Sequence, residues 1–263
     1  MIEKDDRSFW QSSRLLIVGL VAVIIVMGLS LVIMSINQAS RPVAADERVN
    51  ALAQSKDECV VCHERTTPGI NEQYGHSSMA SAEVSCQDCH EVTDDYPGAS
   101  EHEGIYVLGT PTTAMCEKCH EQEVAQYNQS RHALPAYVAY AGSKDLSEEH
   151  LAMYEAIPEG GFSPDKSRNA IAELEGPDLR RFTCEGCHNI GRPAPDGSIG
   201  ECQQCHLRHE FSLEQARKPE TCNACHIGPD HPQYEIYVES PHGIAYHTMG
   251  DHWNWEAEPR TLD

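Results

Sequence analysis

Every cysteine in this chain belongs to one pentapeptide, Cys-x-x-Cys-His, which occurs at Cys59, Cys62 and His63; Cys86, Cys89 and His90; Cys116, Cys119 and His120; Cys184, Cys187 and His188; Cys202, Cys205 and His206; and Cys222, Cys225 and His226. This is the spacing that holds a c-type haem. The two thiols form thioethers to the vinyl groups, and the histidine one step later reaches back to the iron as proximal ligand. A lone Cys-x-x-Cys is open to three other readings: a zinc knuckle, a thioredoxin-like redox pair or a structural disulfide. Six copies are not, because only 15 of the 263 residues are histidine and a random position carries one about once in eighteen. The cofactors expected are six covalently bound haem c groups.

Nine histidines lie outside these motifs: His76, His102, His132, His150, His209, His231, His242, His247 and His252. A spare histidine is ordinarily a surface or core residue, but a low-spin electron-transfer iron needs a sixth ligand and imidazole supplies it. His132 and His242 share a frame, Ser-x-His followed by a small residue, which lets a haem approach closely. His209 follows the proximal His206 by three residues, too tight for both to hold one iron, so it is expected to ligate a neighbouring haem. His76 and Met79 are one turn apart before the second motif; His76 is favoured, since methionine would raise that haem's potential. His102 is the fifth candidate. Five ligands for six irons leave one haem unmatched, and an iron without a protein sixth ligand is where a substrate binds.

Thioether formation takes place outside the cytoplasm, and the N-terminus supplies a route. Leu15–Ile36 carries no charge and is long enough to cross the roughly 30 Å of bilayer hydrocarbon as a helix. It exceeds the core of a signal peptide, and Val43-Ala44-Ala45 lies far from it for a cleavage site. The expected layout is a cytoplasmic leader at 1–14, a transmembrane anchor at 15–36, a linker at 37–55 and a hexahaem domain at 56–263. The protein would then be a single-pass protein of the cytoplasmic membrane, its haem domain on the periplasmic side.

About 35 residues per haem are too few for an ordinary layered core, so the macrocycles must form much of the interior. The motifs fall into two groups of three, separated by residues 121–183. That insert reads as helical: Gln122–Tyr140 interrupted around Pro135, a helix opened by Asp145 and Glu148 and running from Leu146 to Ala156, and a segment from Ser163-Pro164 to Gly176-Pro177. No run of alternating strand residues stands out. The fold class is mainly α, with much irregular backbone on haem, plus the one N-terminal transmembrane helix. A net charge of −22 excludes nucleic acid as a partner. It would steer a small basic cytochrome, although acidity also keeps an extracytoplasmic domain soluble.

The stretch PDGSIGECQQCHLRHEFSLEQARKPETCNACHIGPDHPQYEIYVESPHG, within Cys184–Tyr246, closely resembles the corresponding part of the hydroxylamine oxidoreductase family of octahaem cytochromes c. The earlier motifs follow the same order, and the resemblance spans about residues 56–255. It implies that the fourth haem, on Cys184, Cys187 and His188, is the five-coordinate catalytic one. It also implies that Asp230 and His231 lie over its open face as a carboxylate and imidazole able to relay protons. From the residues alone, Asp230-His231 is equally a turn in which Asp caps the backbone and His ligates a different haem. The family's seventh and eighth haems follow a region like GIAYHTMGDHWNWEAEP, whereas this sequence ends at Asp263, and no tyrosine here matches the one cross-linked to the catalytic haem.

Two functions follow. One is an oxidoreductase acting on hydroxylamine or nitrite at the fourth haem while the others carry electrons. The other is a non-catalytic electron-transfer module between the quinone pool, or a membrane partner, and a soluble cytochrome. A haem-based ligand sensor is a weaker third, since no signalling domain accompanies it. The family's trimers imply self-association.

Overall fold

The computed structural model describes residues 17–30, 49, 51–52, 57–158 and 162–255. The chain divides into two compact units, Met1–Ala44 and Ala45–Asp263. In the first, residues 17–30 are helical with exposed side chains. The rest of the expected anchor, 15–16 and 31–36, lies outside the described residues, as do the leader at 1–14 and most of the linker at 37–55. Among the described residues no helix is long and apolar enough to cross a membrane.

The second unit is mainly helical, and its helices are short; about half of them are started by a side-chain cap. Helix α1 (Glu58–Thr66) opens on Asp57, whose carboxylate accepts from Val60 N, and α2 (Pro68–His76) follows directly. Ser77 caps α3 (Ser78–Ser81), and a capping box of Ser85 and Asp88 starts α4 (Cys86–His90). After three strands come α5 (Thr113–Asn128), α6 (Leu134–Ala141), α7 (Glu148–Ala156), α8 (Ala170–Arg180) and α9 (Cys184–His188). The chain closes with α10 (Leu213–Arg217), α11 (Pro219–Asn223), α12 (Gln233–Glu239) and α13 (Pro241–Met249).

The strands correct the expectation that none would form. β1 (Glu91–Val92), β2 (Ser100–His102) and β3 (Ile105–Val107) make an antiparallel sheet in the order β1-β3-β2. Two or three residues are too few for alternation to register in a sequence. The hairpin is set instead by Glu103 and Gly104, both at positive φ (52° and 85°), which give a two-residue turn with His102 paired to Ile105.

The insert is helical as expected, with different boundaries. Pro135 sits in the first turn of α6, where its missing N–H costs nothing, so it opens that helix rather than interrupting one. Ser147, and not Asp145, caps α7 by accepting from His150 N. Asn169 caps α8, and Gly176 at φ 75° kinks it before Pro177 restarts the turn.

This insert also builds the buried apolar cluster: Ala133, Leu134, Val138, Tyr154, Ile157 and Ile199, with Tyr127, Tyr137, Leu146, Met153 and Phe162 packed against it. Ala133, Leu134 and Val138 are fully buried, so α6 is the most firmly held helix of the domain. The attachment motifs lie outside the cluster. Ten of their twelve cysteines are half-buried and two, Cys119 and Cys222, are exposed.

Candidate haem-binding sites

A helical turn places residues i, i+3 and i+4 on one face, which is the geometry two thioethers and a proximal histidine demand. The motif at Cys59 lies within α1, those at Cys86 and Cys184 form α4 and α9 outright, and that at Cys116 lies within α5, which is kinked at His120. Cys202 begins a 3-10 turn, and Cys222 lies near the end of α11. No two of the twelve cysteines are joined in a disulfide.

In the attachment histidines His63, His90, His188 and His226, Nδ1 is tied to an acceptor. His63 Nδ1 lies 2.7 Å from Thr67 Oγ1, His90 Nδ1 is 2.6 Å from Leu108 O, His188 Nδ1 is 2.5 Å from Ala136 O, and His226 Nδ1 is 3.1 Å from Gln233 Oε1. An Nδ1–H held this way leaves the Nε2 lone pair for a metal and fixes the ring plane. Ala136 is on α6, so the buried cluster of the insert orients His188. Tyr140, from the same helix, packs its ring 5.6 Å from that imidazole.

The same four rings each face a second imidazole. His63 and His102 have centroids 6.3 Å apart, His90 and His209 6.3 Å, His132 and His226 6.0 Å, and His188 and His231 6.2 Å. An imidazole nitrogen bonds a metal at about 2 Å and lies about 1.1 Å from its ring centre, so two axial imidazoles on one ion stand about 6.2 Å apart. Among the described residues no three His, Cys, Asp or Glu side chains converge on one point, whereas the imidazoles come in twos. The donor set therefore fits haem, with two thiols and a tethered imidazole on one side and a second imidazole opposite.

His209, three residues after His206, faces His90 of the second motif. Burial, with His90 close by, pushes its pKa below the ordinary histidine value, and burial does the same for His206. Both shifts favour the neutral ring, the form that binds metal. His231 also lies 6.4 Å from His226. Its neighbour Asp230 is exposed, as is His231 itself, and His231 N donates to Gly228 O within the turn before α12. His76 ends α2 and His242 is in the first turn of α13; both are exposed, and neither is among the four ring pairs. Of the histidines without a distinguishing frame, His150 is buried with Nε2 2.9 Å from Gly197 O, and His247 packs on Tyr246 at 5.1 Å.

The thiols also report which motifs are neighbours. Cys116 and Cys202 lie side by side. Thr113 joins the pair, its Oγ1 standing 3.9 Å from Cys202 Sγ while its hydroxyl donates to Gly200 O. Burial pushes Cys86 up to about 11, with Cys59 nearby adding to the shift. Burial does the same to Cys225, reinforced by Cys187 and then by Cys205 and Cys222. Cys89 is raised by burial, with Cys119 among its charged neighbours. The attachment sites are thus adjacent in the order first, second, third, fifth, sixth, fourth.

Sequence reasoning missed the acceptors that orient the proximal rings. Thr67, four residues after His63, and Gln233, seven after His226, carry a local spacing signal. The carbonyls of Leu108 and Ala136 carry none, because any residue type supplies one.

Comparisons with known proteins bear on the family and the fold. Residues 82–261 match the family model described as seven times multi-haem cytochrome CxxCH. A probable nitrite reductase-hydroxylamine oxidoreductase fusion protein of Kuenenia stuttgartiensis is 29% identical over 240 residues, covering 82% of this chain and 25% of its own length. This chain therefore spans a quarter of that relative. A solved hypothetical multiheme protein superimposes with a TM-score of 0.61 at 24% identity, over 82% of this chain and 51% of the other, and shares the fold. A reducing HAO-like protein complex of Kuenenia stuttgartiensis gives a TM-score of 0.45 at 25% identity, over 83% of this chain and 40% of that one. With its motifs, its paired imidazoles and a family match over more than half its length, the chain belongs to the multihaem CxxCH cytochromes, whose motifs bind haem c covalently.

Proposed function

We propose that this protein is a membrane-anchored, extracytoplasmic cytochrome that holds six haem c groups, conducts electrons along them and reacts a small nitrogen species, hydroxylamine or nitrite, at the site of His188. The observation that carries the reading is the set of three imidazole pairs at 6.0–6.3 Å, His63–His102, His90–His209 and His132–His226, each with its proximal ring anchored through Nδ1. Haem c supplies reversible one-electron transfer and, where an axial position stays open, a place for a small ligand. The chain's own part is to orient ligands, set neighbours and move protons.

His102, His209 and His132 serve as the second imidazoles opposite His63, His90 and His226. His76 and His242 remain for the sites of His120 and His206. Asp230 and His231 stand beside His188, exposed to solvent, where a carboxylate next to an imidazole passes protons between water and a reacting group. The curated relative's nitrite reductase and hydroxylamine oxidoreductase name supports a nitrogen substrate. The adjacency of the thiols supports a conducting order with the His188 site at one end and the first motif at the other. A charge of −22 favours a small basic cytochrome as soluble partner, the anchor favours a quinone-linked membrane protein as the other, and the family resemblance favours self-association.

A second reading rests on one specific distance. His231 stands 6.2 Å from His188, the same separation as the other three pairs, which suits a plain axial ligand and a purely electron-carrying protein. Carbon monoxide separates the two. If His231 is a proton relay, the reduced wild-type protein binds carbon monoxide at one haem, the ferric protein shows a minority high-spin signal, and His231→Ala loses hydroxylamine or nitrite turnover with haem content intact. If it is a ligand, the wild type binds none and His231→Ala gains one site. Protease accessibility of the haem domain in intact spheroplasts checks the anchor and its orientation.

A further inference from the structure

Acidic residues outnumber basic ones by 41 to 19 in this chain, yet one cavity reverses the ratio. It has a volume of about 530 Å³ and is lined by Pro177, Arg180, Arg181, Glu185, Asn189 and Arg192. Its walls are the last turn of α8, the outer side of α9 and the turn that follows. Glu185 on α9 and Asn189, its C-cap, are four apart, on a face turned away from that of Cys184, Cys187 and His188.

Three guanidiniums around one hollow repel one another unless something negative neutralises them. Glu185 does so in part: its carboxylate is 3.8 Å from Arg192 Nη1, beyond hydrogen-bonding distance, so the fork of donors on Arg192 is unspent. Arg180 uses one N–H on Ala172 O, and Arg181 lies 5.7 Å over the Phe182 ring. Neither forms an ion pair among the described residues. The side-chain oxygen of Asn189 is buried without a hydrogen-bond partner, and the amide turned by half a revolution offers its NH2 in the same place. Planar guanidinium forks plus an amide donor are the equipment for a ligand with several oxygens.

We propose that this cavity is a binding site for a small free oxyanion, of the phosphate or nitrite type, behind the attachment helix of the fourth motif. The proposal stands independently of whether the His188 site is catalytic. Two like charges are left over after Glu185, enough to hold an anion in a protein whose overall field repels one.

The test titrates the haem-loaded, full-length protein with inorganic phosphate and, separately, with nitrite, by calorimetry at low and moderate salt. The expected result is one saturable, salt-sensitive site for at least one of these anions, with affinity lowered about tenfold or more in the double variant Arg180→Gln, Arg192→Gln. Because Arg180 also bonds Ala172 O, Arg181→Gln is measured alongside: Arg181 has no such backbone role, and a loss of about threefold is expected. Arg208→Gln, distant in sequence and bonded to Thr110, leaves the affinity unchanged. Phosphate binding must leave the visible haem spectrum unaltered, since the site is not at an iron. Absence of saturable binding in the wild type, or equal affinity in all the variants, overturns the proposal. So does a wild type that binds neither anion while the double variant lowers one haem's midpoint potential, because the cavity would then be filled by a haem propionate.

Discussion

Gly191 is where the buried cluster of the insert meets the turn that follows His188. A Cβ at this position would lie 2.5 Å from the Ala133 carbonyl carbon and 2.8 Å from His132 O, and closer still to Ala133 O, against an ordinary contact of 3.4–4 Å. The obstacle is backbone, and Ala133 is fully buried, so relief requires about 1.5 Å of separation between the turn and α6. Overpacking costs typically 1–3 kcal/mol, and an unyielding neighbour puts Gly191→Ala near the top, about 3 kcal/mol, or roughly a hundredfold in the folded population. For a domain of this size that is about 6–12 °C in Tm. The same movement pulls His188 Nδ1 off Ala136 O, so the spectroscopic signature of one haem, read by low-temperature electron paramagnetic resonance, shifts while the others hold. Gly69 is the control: it lies in α2 with nothing within 4 Å of an added methyl, and Gly69→Ala should raise Tm by about 1–4 °C through lost unfolded-state entropy. A Gly191→Ala protein melting within 2 °C of wild type, by an assay resolving about 1 °C, would refute the reasoning.

His209→Ala and His102→Ala should each create one additional carbon-monoxide-binding, high-spin haem, because each removes the imidazole facing an anchored proximal ring; titration of the reduced protein counts the sites. Thr67→Ala removes the acceptor at His63 Nδ1, making that ring a weaker donor to iron, so one midpoint potential should rise in a redox titration without loss of haem. Asp196 accepts from Tyr96, Thr112 and Ser198; burial opposes its ionisation, but these hydrogen bonds outweigh it and hold the carboxyl below its ordinary value. A depressed carboxyl adds stability that is present above its unfolded pKa of about 3.9 and lost as pH falls through the folded one. Asp196→Asn should therefore flatten the acid limb of the stability profile below about pH 4, and cost about 1–2 kcal/mol at neutral pH by confronting two donors with an amide.

The covalent chemistry was legible in the primary structure because it is local. Two cysteines and a histidine within five residues need only one helical turn to meet a porphyrin, and no distant contact is required to recognise them. The mainly helical class was legible for a similar reason, since helix-start signals are local, although the start assigned to Asp145 belongs to Ser147 two residues on. The small sheet was not, since strands of two and three residues owe their existence to the Glu103-Gly104 turn and to pairing across it. His209 could be excluded from the iron of His206 by spacing, but that it meets His90 is a fact of folding. Which imidazole faces which, how Ala136 holds His188, the adjacency of Cys116 to Cys202 and the gathering of Arg180, Arg181 and Arg192 all join residues remote along the chain. Their partners are backbone carbonyls or side chains brought together by packing, and such contacts leave no periodicity behind, so only the tertiary structure could decide them.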